Sequence, residues 1–175
     1  TPGVHITEIT GRKKGITSDP ALNIAGITAT ALLKHLEEDG RGLELRIHKH
    51  IPGGSGLGSS ASSATAAAVL VNEMLNRPLE KRDLIPFALE GEMTASGSRH
   101  GDNVVPAMLG GLMLIRDIDT YDYHRIYTPR GLFMAILLPD ISIATKTARQ
   151  ILRSEVPLSS MVRTAANLGS FVIAM

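Results

Sequence analysis

Pro52-Gly53-Gly54-Ser55-Gly56-Leu57-Gly58-Ser59-Ser60-Ala61 joins two segments of different periodicity. Before it, Leu43, Leu45 and Ile47 alternate with Glu44, Arg46 and His48, the pattern of a half-buried strand. After it, a helix with a small apolar face (Ala61, Ala64, Ala66, Ala67, Ala68) is expected to run to about Asn76, with Ser59 or Ser60 as its cap. Glycines at 53, 54, 56 and 58 carry no Cβ, so several backbone N–H groups can face one concave point. The helix start adds unpaired N–H donors and a partial positive charge, and together these form an anion site suited to phosphate. Ser59 and Ser60 offer hydroxyl donors, or one oxygen for a hard cation such as Mg²⁺. Firm patterning on both flanks argues against a flexible Gly/Ser linker. Gly53 to Gly58 has G-x-x-x-x-G spacing, but Ser59 stands where a Walker-type loop needs Lys, and no G-x-G-x-x-G register fits.

Val4 to Thr10 alternates and predicts a strand, and 11–20 is a polar loop. Asn23 to Glu38 is helical, with Gly40 and Gly42 as its stop. A third helix is expected over Lys81 to Glu92, interrupted near its start by Pro86, followed by a polar loop from Thr94 to Asn103. Pro106 to Gly111 leads into a strand at Leu112 to Arg116. The apolar run Leu132 to Leu138 predicts a buried strand, Thr145 to Leu152 a helix, and Leu158 to Met175 another. The polar stretch Asp117 to Arg130 is a candidate domain boundary. Strands and helices do not alternate regularly enough for a doubly wound sheet, so the expected class is α+β.

The 175 residues suit one domain or one and a fraction. A net charge of +1 gives no broad field for nucleic acid or an anionic membrane. No apolar run approaches the ~20 residues of a membrane span. With no cysteine there is no disulfide, thiolate nucleophile or Cys-type zinc site, which fits a reducing compartment. Both ends of the chain read as cut, as in the middle of a longer protein.

A second constellation lies in Glu90 to Gly111, where Glu92, His100, Asp102 and Asn103 fall between apolar segments. A carboxylate with a serine hydroxyl is a reasonable Mg²⁺ site near phosphates. An Asn can orient a substrate hydroxyl, and a His can donate to a carboxylate or phosphate. Read alone, Glu92 fits equally a surface acid at a helix end, and His100 a turn residue bonded to backbone.

Pro52 through Ala61 resembles the second signature motif of the GHMP kinases, P-x-G-x-G-L-G-S-S-A. Within that group the chain resembles the homoserine kinases. Gly91-Glu92, Ser96-Gly97 and His100 to Gly111 follow their G-E, S-G and H-x-D-N-V-A-P-A-x-x-G-G pattern, with Val105 where Ala is usual. Pro139 to Arg149 looks like their P-x-I-x-I-x-T-x-x-A-R segment. The resemblance implies a ribosomal protein S5 domain 2-like unit over 1–117, partial, followed by the start of a ferredoxin-like domain over 118–175. It implies ATP-dependent phosphorylation of the L-homoserine hydroxyl, a step of threonine biosynthesis, in a cytoplasmic homodimer. By the same resemblance the backbone of Gly53, Gly54, Ser55, Gly56, Leu57, Gly58 and Ser59 would wrap the phosphates of ATP, and Ser60 and Glu92 would hold Mg²⁺. Asn103 would contact the homoserine hydroxyl, and His100 would shape the amino-acid pocket. Thr145 and Arg149 would sit near the γ-phosphate and substrate, with Arg149 clamping an anionic group. Lys49 and Asn23 would lie at the nucleoside end. Asp102 is expected to be structural.

The family's first motif and its C-terminal glycine-rich segment are absent, so this stretch by itself is expected to turn over weakly or not at all. Another small-molecule kinase of the group, such as a mevalonate type, is the nearest alternative. A non-catalytic nucleotide- or RNA-binding module is the second, but scattered basic residues and 3% aromatics leave little for stacking on bases.

Overall fold

The computed structural model describes residues 1–12, 15–97, 99–138 and 151–175. β1 (Gly3–Gly11) and β2 (Gly42–Lys49) pair in parallel, with Gly3 opposite Gly42, Gly11 opposite Lys49 and a register shift between Ile6 and Glu8. Parallel pairing demands a crossover, which α1 (Ile24–His35) supplies. Then come α2 (Ser59–Met74), a 3₁₀ turn (Lys81–Leu84), α3 (Ile85–Ser96) and α4 (Gly101–Leu109). β3 (Leu112–Asp117) and β4 (Asp122–Ile126) form an antiparallel hairpin, and α5 (Leu158–Ala174) follows. This is an α+β arrangement, as the patterning implies.

α2 is the hub, packing on α1, α3 and α4. Ala61, Ala64, Ala68 and Val71 face these neighbours and are essentially inaccessible. A face of small side chains lets three helices approach one. Into that space go Ala29, Leu32 and Leu33 of α1, Ile85, Ala88 and Leu89 of α3, and Val104, Val105 and Met108 of α4. The core thus sits directly behind the glycine-rich turn and fixes the direction of the helix that the turn opens.

Several expectations need correcting. α2 is capped by Gly58 in the left-handed conformation, with no side-chain capping bond, and not by Ser59 or Ser60. The expected third helix is divided just before Pro86: Lys81–Leu84 is a 3₁₀ turn, the α-helix begins only at Ile85, and Pro86 lies in its first turn, where its missing N–H costs nothing. α3 continues to Ser96 and ends on Gly97 (φ +75), so the polar stretch 94–103 is mostly helical. The last three residues of that stretch, Gly101 to Asn103, belong with Pro106 to α4. The sequence reading missed α4 because its polar first turn and its proline both resemble loop. β4 occupies part of the polar stretch 117–130. Residues 132–138 are not a buried strand. They carry no regular structure, and Phe133 and Leu137 are each 93% exposed. The predicted helix over Thr145 to Leu152 lies almost wholly outside the described residues.

Candidate active site

A cavity of about 340 Å³ opens where the glycine-rich turn, the start of α1, the end of α3 and the start of α4 converge. Its floor is the turn itself. Gly54, Gly56 and Gly58 have φ of +69°, +74° and +69°, so left-handed residues alternate with ordinary ones. That alternation turns successive N–H groups to one side, the geometry of an anion nest. Serines hold the shape: Ser55 Oγ donates to Pro52 O at 2.7 Å and accepts from Leu57 N, while Ser59 Oγ donates to Ile51 O at 2.8 Å. The hydroxyl protons of Ser55 and Ser59 are therefore spent inside the loop. α2 then points its first turn at the cavity.

Ser60 Oγ donates to Glu92 Oε1 at 2.8 Å. The two residues come from α2 and α3, brought together by the close packing of those helices. Glu92 is 8% exposed. Burial pushes its carboxyl above the ordinary range; the Ser60 hydrogen bond pulls it back, the Asp102 charge pushes it further up, and Lys49 lowers it. Lys49, the last residue of β2, is also buried, and donates from Nζ to Ser59 O and Ser63 Oγ, each at 2.6 Å. Burial lowers its pKa and Glu92 opposes this. An ammonium against a helix N-terminus meets like charge, and the nearby Glu92 carboxylate offsets that conflict.

Asn23 lines the cavity as the N-cap of α1. Its Oδ1 accepts from Ala25 N at 3.0 Å and its Nδ2 donates to Thr17 O at 2.7 Å. Asn103 and Asp102, both solvent-exposed, stand on the first turn of α4, and His100 precedes it as the N-cap; all three line the cavity. Asn103 closes tightly on the loop: a Cβ built on Gly58 would lie 3.1 Å from Asn103 Oδ1.

Of the candidate residues, the structure therefore gathers Asn23, Lys49, Gly53, Gly54, Ser55, Gly56, Gly58, Ser59, Ser60, Glu92, His100 and Asn103 around one cavity. Leu57 is not on its lining and is 41% exposed. Thr145 and Arg149 lie outside the described residues. The sequence reading missed Thr17, Ser63 and Thr94, which also line the cavity. Ser63 was legible in principle, standing one turn after Ser59 on α2; Thr17 and Thr94 carried no pattern.

The profile of the GHMP kinases N terminal domain matches residues 23–111, about half of the chain. A homoserine kinase of Chloroherpeton thalassium is 41% identical over 97% of this chain and 54% of its own length. One of Methanococcus vannielii is 34% identical over 99% of this chain and 56% of its own length. The chain spans about half the length of the curated relatives it matches. The crystal structure of homoserine kinase from Cytophaga hutchinsonii superposes with a TM-score of 0.94 at 38% identity, covering 100% of this chain and 55% of that one. On the matching profile, the shared fold and the phosphate-type turn that the profile includes, the chain belongs to the GHMP kinase family.

Proposed function

We propose that the protein transfers the γ-phosphoryl group of ATP to the side-chain hydroxyl of L-homoserine, giving O-phospho-L-homoserine for threonine biosynthesis. The observation that carries this reading is the meeting of the nest at Gly54–Gly58, the Ser60–Glu92 pair and Asn103 around one cavity. The relatives described as homoserine kinases support the choice of acceptor.

Phosphoryl transfer asks mainly for alignment and charge neutralisation. The backbone N–H groups of the turn and the N-terminus of α2 receive the phosphates. Ser60 and Glu92 are the residues to hold Mg²⁺, whose chemistry when bound is to neutralise phosphate charge. The donor set fits: a hydroxyl and one carboxylate stand side by side at the phosphate turn, hard oxygen donors of the kind such a cation would take. Among the described residues no cluster of three or more acidic or imidazole groups competes for it. Asn103 orients the acceptor hydroxyl over the loop, His100 bounds the amino-acid end, and Thr145 and Arg149 complete the substrate contacts. Lys49 braces the first turn of α2, and we assign it and Asn23 to the side of the cavity that takes the nucleoside. Asp102 is assigned a structural and electrostatic part through its effect on Glu92. We assign 1–117 and 118–175 to the two domains of such a kinase, acting as a cytoplasmic homodimer.

The test is ADP release by the full-length protein with L-homoserine, mevalonate and galactose in parallel. Turnover with homoserine alone is expected. Turnover with mevalonate or galactose instead keeps the phosphate site and overturns the acceptor.

Gly58→Ala tests the contact with Asn103. The left-handed backbone costs an alanine about 1–2 kcal/mol. The new methyl must also displace the amide it meets at 3.1 Å. A fall in kcat of about tenfold is expected, because small misplacements of an aligning group are costly. Unchanged kcat with the expected loss of stability would remove Asn103 from the reacting geometry.

A further inference from the structure

α4 carries Asn103, yet part of what fixes α4 lies outside the cavity. The β3–β4 hairpin contributes no residue to the cavity lining, and it grips α4 at both ends. At the N-terminal end Gly101 is buried against the hairpin turn: a Cβ there would stand 2.4 Å from Ile118 Cδ1. Just before it, the Arg99 guanidinium stacks on Tyr121 at 5.1 Å from the ring centroid, donates to Tyr121 Oη and pairs with Asp119 at 3.5 Å. At the C-terminal end Arg125 donates from Nη2 to Leu109 O, satisfying one of the carbonyls that a helix end leaves open.

The hairpin turn is itself made firm. Asp119 N donates to Asp117 Oδ1 at 2.9 Å and Tyr121 N donates to Ile118 O at 3.3 Å. Tyr121 is held at φ +56°, a left-handed conformation that a non-glycine residue adopts only at a cost. Such a conformation persists where surrounding contacts over-determine it, and the Arg99 contacts are such a set. The exposed Arg99–Asp119 pair is worth little alone. The weight falls on the Gly101–Ile118 packing, the Tyr121 contacts and the Arg125 cap.

We propose that the β3–β4 hairpin is a clamp that sets the position of α4, and that Arg99, Ile118 and Arg125 act through it as positioning residues for Asn103 over the phosphate turn. The consequence for turnover rests on the phosphoryl-transfer reading above; the clamp itself rests on geometry alone.

The experiment compares full-length wild type, Arg99→Ala/Arg125→Ala and Arg99→Lys/Arg125→Lys by two readouts. The first is the NMR signals of the Asn103 side-chain amide and the Gly58 backbone amide, recorded without substrate. Both are expected to shift in the alanine variant and to return towards wild type in the lysine variant. The second is steady-state kinetics, where kcat is expected to fall about tenfold in the alanine variant with the KM for ATP within about twofold of wild type. Signals that stay in place overturn the clamp, whatever the activity. Signals that move with kcat unchanged overturn its part in turnover. If wild type does not phosphorylate homoserine, the acceptor assignment falls while the clamp is still judged on the signals. Should the alanine variant fail to fold, Ile118→Val, which removes the Cδ1 methyl nearest Gly101, carries the same readouts.

Discussion

Glu92→Gln is expected to lower kcat about 10²–10³-fold and, in the same sample, to make the ligand-free fold more stable. The two effects have one cause. Glu92 is a buried carboxylate whose pKa is raised chiefly by desolvation. A raised folded-state pKa means that the protonated form is the better fit to the fold. The favourable contribution is then fully present below the unfolded pKa, near 4.5, and is lost as pH rises through the higher folded value. Above that window the wild type carries the cost of placing a carboxylate in a buried site, and the glutamine variant does not. Glutamine keeps an oxygen for the Ser60 hydroxyl but has no charge to offer a cation. Chemical denaturation of both proteins at neutral pH and near pH 4.5 checks the sign: the variant should lead at neutral pH, with the gap closing on acidification. A variant that is less stable at neutral pH would mean that Lys49 outweighs desolvation. A variant that keeps its kcat would remove Glu92 from the proposed chemistry.

Gly91→Ala is expected to destabilise the fold by about 2 kcal/mol, which for a domain of this size lowers Tm by roughly 4–8 °C. In an ordinary helix interior this change would stabilise by about 1 kcal/mol. Here α3 lies so close to α1 that a Cβ at Gly91 would stand 2.2 Å from Thr28 Oγ1 and 2.8 Å from Ile24 O. Thr28 is fully buried, and its hydroxyl has no hydrogen-bond partner among the described residues. The Ile24 oxygen is backbone, so no rotamer change relieves it; the helices must separate. Glu92 is the next residue, and moving α3 draws it from Ser60, so kcat should fall together with stability. The double variant Gly91→Ala/Thr28→Ala should recover part of the loss by removing the side-chain clash while the backbone clash remains. A melting temperature at or above wild type would show that α1 and α3 can part without cost.

The sequence disclosed the parts of the site that are local. The strand, the glycines at 53, 54, 56 and 58 and the following helix form one continuous stretch, and the structure carries them almost as read. Asn23 as the cap of α1 is local in the same way. What stayed hidden depends on distant contacts. Nothing near Gly91 announces that its missing side chain faces Thr28. Lys49 is bound by Ser63, fourteen residues away across the loop. α4 went unseen because a proline and a polar first turn weigh against a helix locally, and only Val104, Val105 and Met108 packing into the core decide for it. The run 132–138 failed in the opposite sense. Its apolar pattern was real, but a buried strand also needs neighbours, and among the described residues it has none to bury it.

That open run bears on the life of the newly made chain. Leu132, Phe133, Met134, Ile136 and Leu137 are all more than half exposed, and the stretch contains neither charge nor proline. Short uncharged apolar windows of this kind are the segments by which nascent chains adhere to one another. The sequence brackets it with Pro129 and Arg130 on one side and Pro139 and Asp140 on the other, residues that resist extension of an aggregate in either direction. Yield in the cell should therefore depend on chaperones that bind extended apolar peptide, which would act on this window first.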